Sequence, residues 1–156
     1  MTMDPGADAY SGVIAPEAIR LGMFAAVNSN LQVFAADIGN AYLHAKTNEK
    51  LYTILGEEYG SLGSKVLVFD KGLYGFRCSG AMVHEHLSDI LRKMDFFPSK
   101  ADPDLWMKDC KDNYEYISRY VDDALVFSRE PEELIKCLQS GIPRTRGWNP
   151  RILSWR

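Results

Sequence analysis

The sequence predicts an α+β domain, a small antiparallel sheet with helices packed on one of its faces. Two observations carry that expectation. Short runs rich in β-branched and aromatic residues recur between turn residues, as at 31–37, 104–108, 114–119 and 124–128. Other stretches, over 16–28, after Ser79 and after Glu130, space their apolar residues for a helix instead.

Residues 1–15 are turn-rich. Pro16 suits the first helical position, and Glu17 complements the positive end of the helix dipole. Ile19, Met23, Ala26 and Val27 then recur at helical spacing over 16–28, until Asn28-Ser29-Asn30 ends the helix. Leu31–Asp37 reads as a strand finishing on a carboxylate. Gly39 and Asn40 permit a sharp turn after it into a short helical segment. Leu51–Leu55 and Lys65–Asp70 are strand candidates, separated by a loop carrying Gly56, Gly60 and Gly63. Lys71–Gly80 is a glycine-punctuated loop without the G-K-[ST] ending of a P-loop, with Ser79 placed to cap the next helix.

In that helix Val83, Leu87, Ile90, Leu91 and Met94 form the apolar stripe, while Glu85, Asp89, Arg92 and Lys93 face outward. His84 and His86 lie two apart, on different sides, and read as surface or packing residues. Phe96-Phe97-Pro98 breaks the helix. A strand at Asp104–Lys108 turns at Asp109–Asn113 into a hairpin with Tyr120-Val121-Asp122-Asp123 at its tip. Glu130-Pro131-Glu132-Glu133 starts a last helix with Leu134, Ile135 and Leu138 inward.

The 156 residues suffice for one domain with a real core but are short for two. A net charge of −3 leaves any polyanion contact to a local patch. The three cysteines, Cys78, Cys110 and Cys137, are odd in number and lack C-x-x-C spacing, against a disulfide framework or a zinc site. The N-terminus lacks the basic and apolar regions of a secretory signal, and no apolar run approaches membrane-spanning length. A reducing, intracellular setting is the expectation.

The chemistry lies in the carboxylates. Asp122 and Asp123 repel each other at a hairpin tip, and Asp37 ends a strand where an unpaired charge is costly. A solvated Asp-rich turn would account for the pair, and a turn cap for Asp37. Together the three suit a divalent-cation site, in which two Mg²⁺ roughly 3.5–4 Å apart clamp the oxygens of an in-line phosphoryl transfer. No Ser-His-Asp, Cys-His or dinucleotide pattern competes. The same carboxylates would serve a metal-dependent nuclease, and a plain interaction domain would need no metal.

Y-V-D-D between apolar strands, with D-I-G-N-A-Y-L from Asp37 to Leu43, K-G-L-Y-G-F from Lys71 to Phe76 and S-K-A-D-P-D from Ser99 to Asp104, resembles the reverse transcriptase of copia-type LTR retrotransposons. The resemblance runs from about Tyr10 to Leu138. It implies a palm-type antiparallel sheet within a right-hand polymerase fold, with residues 1–140 as partial fingers and palm. It also implies a role for each matching residue. Asp37, Asp122 and Asp123 would ligate two Mg²⁺ or Mn²⁺ ions, with the Ile38 carbonyl as a further oxygen. Tyr42 would stand as a steric gate against a ribonucleotide 2′-hydroxyl. Tyr74, Gly75 and Arg77 would help to hold template and incoming dNTP, with Arg77 on a phosphate or base, and Tyr120 would pack against the primer terminus. The implied partners are an RNA or DNA template-primer, dNTP and other element-encoded proteins. The implied setting is the cytoplasm, within a virus-like particle.

Against that family pattern the chain is expected to lack the basic fingers segment upstream and the thumb and RNase H downstream. The tail from residue 141 to 156 is oddly basic and without helical periodicity, and is expected to be aberrant and disordered. Codons for Ile142–Arg156 exist that, shifted by one base, yield a run ending P-E-Y-Y-L-G-G, which resembles what the family has there. The tail therefore reads as out of frame, and the alternative to an active polymerase is an inactive relic or a nucleic-acid-binding module.

Overall fold

The computed structural model describes residues 12–38, 41–76, 78–141 and 153–155. Helix α1 (Pro16–Asn28) starts on Pro16, whose missing N–H leaves no donor to satisfy. It ends as Asn30 enters the left-handed region (φ 52°), and the Leu31 amide donates back to the Ala26 carbonyl at 2.8 Å. Its buried face differs from the stripe expected. Ala18, Gly22 and Ala26 face inward, while Val27 is 82% exposed and Phe24 68%. The reason is the partner surface: a Cβ at Gly22 would lie 3.1 Å from the ring of Phe127, so only the small side of α1 fits.

Strand β1 (Gln32–Asp37) leads to a single helical turn, α2 (Ala41–His44); the turn expected at Gly39 and Asn40 lies outside the described residues. β2 (Lys46–Ile54) and β3 (Val66–Lys71) pair antiparallel as a separate two-stranded sheet, with a 3₁₀ turn at Glu57–Leu62 between them. α3 (Ser79–Lys93) buries Val83, Leu87, Ile90 and Leu91 as the spacing predicts. β4 (Phe97–Pro98), β5 (Leu105–Asp109), β6 (Tyr114–Tyr120) and β7 (Asp123–Ser128) follow, then α4 (Pro131–Gly141) and β8 (Leu153–Trp155).

Among the described residues the main sheet has six strands in the order β4-β5-β6-β7-β1-β8, with every neighbouring pair antiparallel. Alternation along the strands builds a core on one face, where Phe34, Trp106, Ile117 and Val126 meet the apolar stripes of α3 and α4. The intervening residues Leu105, Tyr116 and Phe127 are apolar as well, and α1 covers them on the other face. Helices therefore lie on both faces, which corrects the one-faced expectation. A strand apolar at both parities cannot leave either face in water.

Of the tail, Gly141 ends α4 and Leu153–Trp155 pairs with β1 at Val33–Ala35; the rest lies outside the described residues. Among the described residues no helix is long and apolar enough to cross a membrane. Cys110 and Cys137 are free thiols.

Candidate active site

Sheet register sets the site. β1 and β7 pair residue for residue from Gln32 opposite Ser128 to Asp37 opposite Asp123, so the two carboxylates share one rung at the end of the sheet. Tyr120 pairs with Asp123 across the hairpin, leaving Val121-Asp122 as a two-residue loop. The Ile38 amide then donates to the Asp122 carbonyl at 2.8 Å, tying the hairpin tip to the chain that leaves β1. Val121 takes a positive φ of 54°, which two-residue hairpins favour at this position. A β-branched side chain is costly there, by about 1–2 kcal/mol.

The electrostatics follow from the register. Partial desolvation beside the sheet end pushes the Asp123 carboxyl above its ordinary value even though its side chain reaches solvent, and the negative charges of Asp122 and Asp37 push it further in the same direction. Asp37 and Asp122 are half-buried and Asp123 is exposed. This is a set of hard oxygen donors held in mutual repulsion, which a divalent cation would relieve. Among the described residues, however, no three His, Cys, Asp or Glu side chains are gathered closely enough to enclose a cation. The donors fit Mg²⁺ in kind; the structure sets them side by side without closing them around one point. The Ile38 carbonyl accepts the Ala41 amide at 3.1 Å and keeps a second lone pair.

Beside the carboxylates stands an aromatic pair. Tyr42 on α2 packs partly into the core, and its ring centroid lies 4.3 Å from that of Tyr74, tilted by 55°. Burial raises the Tyr74 hydroxyl's pKa, and the charges of Asp122 and Asp37 raise it further, which puts the phenol beside the acidic end of the sheet. The loop that carries Tyr74 is latched from both ends. Gly72 donates its amide to the Ala45 carbonyl at 3.0 Å, in a place where a Cβ would meet the Tyr42 carbonyl oxygen at 2.9 Å. The Ser79 hydroxyl accepts from the Leu73 amide at 3.1 Å and donates to the Leu73 carbonyl at 2.7 Å. Ser79 is therefore the latch of this loop rather than a cap of α3, whose flanking residue is Cys78. Gly75 has a φ of 96°, open to glycine and strained for other residues.

The structure thus brings together Asp37, Asp122, Asp123, Tyr42 and Tyr74, with Tyr120 paired to Asp123 and 53% exposed. Arg77 lies outside the described residues. Sequence reasoning missed a buried ion pair behind the hairpin, Arg119 with Asp104, with His84 beside it. Two clues were available: an Arg between the apolar residues of a central strand, and a second Asp in the Asp102-Pro103-Asp104 run.

Comparisons with known proteins bear on the family of the chain. Residues 3–140 match the family model described as reverse transcriptase (RNA-dependent DNA polymerase). The chain is 29% identical over 129 residues to the transposon Ty1-ER2 Gag-Pol polyprotein of Saccharomyces cerevisiae, covering 83% of this chain and 7% of that protein. It is 24% identical over 124 residues to the retrovirus-related Pol polyprotein from transposon TNT 1-94 of Nicotiana tabacum, covering 78% of this chain and 9% of that protein. The chain therefore spans under a tenth of the length of these relatives. No solved structure matches it significantly.

Proposed function

Because the chain belongs to the reverse transcriptase family, in its copia-type branch, we propose that it is the palm and part of the fingers of an RNA-directed DNA polymerase. The six-stranded sheet with α3 and α4 would be the palm, and the β2–β3 hairpin a fingers element. The observation that carries the reading is the shared rung of Asp37 and Asp123, with Asp122 in the adjoining turn.

Asp37, Asp122 and Asp123, with the Ile38 carbonyl, would hold two Mg²⁺ or Mn²⁺ ions. Such ions supply charge neutralisation at the attacking and leaving oxygens of nucleotidyl transfer. The reaction joins a primer 3′-hydroxyl oxygen to the α-phosphorus of a dNTP, releases pyrophosphate and gives up the hydroxyl proton to solvent. The chain's own residues position the reactants. Tyr42, stiffened by its contact with Tyr74, would bar a 2′-hydroxyl. Gly75 lets the loop backbone approach the nucleotide, Arg77 would meet a phosphate or base, and Tyr120 would support the primer end.

Primer extension on an RNA template with Mg²⁺ or Mn²⁺, beside an Asp123→Asn control, tests the reading. Incorporation that the control abolishes is the expected result. A second reading, a nucleic-acid-binding module without catalysis, is favoured by the carboxylates not closing around a common point. Template-primer binding by a folded protein that incorporates nothing would establish it instead.

A further inference from the structure

Arg119 directly precedes the Tyr120–Asp123 tip, and the structure commits every part of its head group. Nε donates to Asp104 Oδ1 at 3.1 Å, and Nη2 donates to the same oxygen. Nη1 donates to the His84 carbonyl at 2.8 Å and to Ser88 Oγ at 3.0 Å, both on α3. The Arg119 amide donates to the Asp104 carbonyl at 3.0 Å. Behind this, Asp102 accepts the Asp104 amide at 2.9 Å and the Ala15 amide at 2.8 Å, so the start of α1 joins the same set. His84 Nε2 lies within hydrogen-bonding distance of both Arg119 Nη2 and, at 3.0 Å, Asp104 Oδ1.

Both charges are almost wholly buried, Arg119 at 3% exposure and Asp104 at 2%. A buried ion pair commonly gains little over an apolar pair of similar volume, so stability alone does not account for this choice. Ile117, two residues earlier on the same face, shows that the site is apolar in character. What a forked, fixed donor adds is register and orientation. The need for it lies next door, where the strained Val121 turn would otherwise relax and carry Asp122 and Asp123 away from Asp37.

We propose that Arg119, held by Asp104, His84 and Ser88, is a positioning residue that clamps the hairpin tip so that Asp122 and Asp123 stay opposite Asp37. The functional consequence rests on the metal reading above; the clamp itself does not.

The test compares wild type with the volume-matched double variant Arg119→Met/Asp104→Leu by amide hydrogen exchange and by Mn²⁺ binding. The Ile38 amide reports the tip, since its acceptor is the Asp122 carbonyl. Exchange at Ile38 should rise about tenfold while Val126 in the central strand keeps its protection, and Mn²⁺ affinity should fall by a similar factor. Unchanged Ile38 exchange in a folded double variant overturns the clamp. Should the double variant not fold, Arg119→Lys, which keeps the charge and loses the fork, replaces it: faster Ile38 exchange supports the clamp and unchanged exchange overturns it. Wild-type protein that binds Mn²⁺ no better than Asp123→Asn overturns the metal reading alone, and the exchange at Ile38 still decides the clamp.

Discussion

A carboxylate whose pKa is raised by desolvation and by neighbouring negative charge is a residue the bare fold would rather not ionise. Asp123 is such a residue: between its ordinary and its raised value the folded state binds more protons than the unfolded one. Stability therefore falls as pH rises through that window, and the deficit persists at neutral pH. Asp123→Asn is expected to raise the melting temperature at pH 7 in chelator, and to abolish the stabilisation that Mg²⁺ confers on wild type. Thermal melts with and without Mg²⁺ check both halves.

His86 titrates with the opposite sign. Burial, and then the neighbouring His44, lower its pKa from the ordinary 6.5, so below that pH the unfolded chain takes up the proton more readily. Stability is lost as pH falls from about 6.5, and His86→Leu should flatten that part of the profile, read as melting temperature from pH 7.5 to 5. The buried ion pair obeys a third logic. Arg119→Ala strands Asp104 without its partner and should cost about 3–5 kcal/mol in denaturant unfolding. The paired apolar replacement should cost far less, although it removes more charge.

At the scale of elements, α1 and α3 both end on non-glycine residues in the left-handed region, Asn30 and Asp95. Asp95 has φ 66°, is exposed, and sets a negative charge at the negative end of the α3 dipole. The amide of Phe96 completes the cap on the Leu91 carbonyl at 3.0 Å. Asp95→Gly keeps that cap, removes the charge and relieves the backbone, for an expected gain of about 1 kcal/mol by chemical denaturation. The helices themselves were readable from apolar spacing because 3.6-residue periodicity is a local property. Which side of α1 faces in was not, since that depends on the bulk of Phe127, more than a hundred positions away.

For the molecule as a whole, a cation that binds only the folded state stabilises it by mass action, about 2.7 kcal/mol at a hundred times its Kd. A rise in melting temperature with Mg²⁺ or Mn²⁺ that tracks concentration is therefore expected of wild type, and no rise would sink the metal site. The tail carries a separate proposal. Translating the underlying DNA in all three frames should recover the run ending P-E-Y-Y-L-G-G after residue 141, and a lack of any such run removes the frameshift. Leu153–Trp155 lies along the β1 edge all the same. Backbone pairing at a sheet edge asks little of side-chain identity, so the proposed change of frame is compatible with a strand there.

By itself the sequence determined the α+β class, the helices near 16–28 and 79–93, the hairpin with two Asp at its tip and the resemblance to a polymerase family. Each of these is written in local periodicity, turn chemistry or short motifs, where neighbouring residues carry the information. Only the tertiary structure decided that Asp37 and Asp123 share a rung, that α1 closes the second face of the sheet, that Ser79 latches the Tyr74 loop and that Arg119 is buried against Asp104. Those facts depend on strand register and on long-range packing, and no local pattern encodes a partner that lies far along the chain.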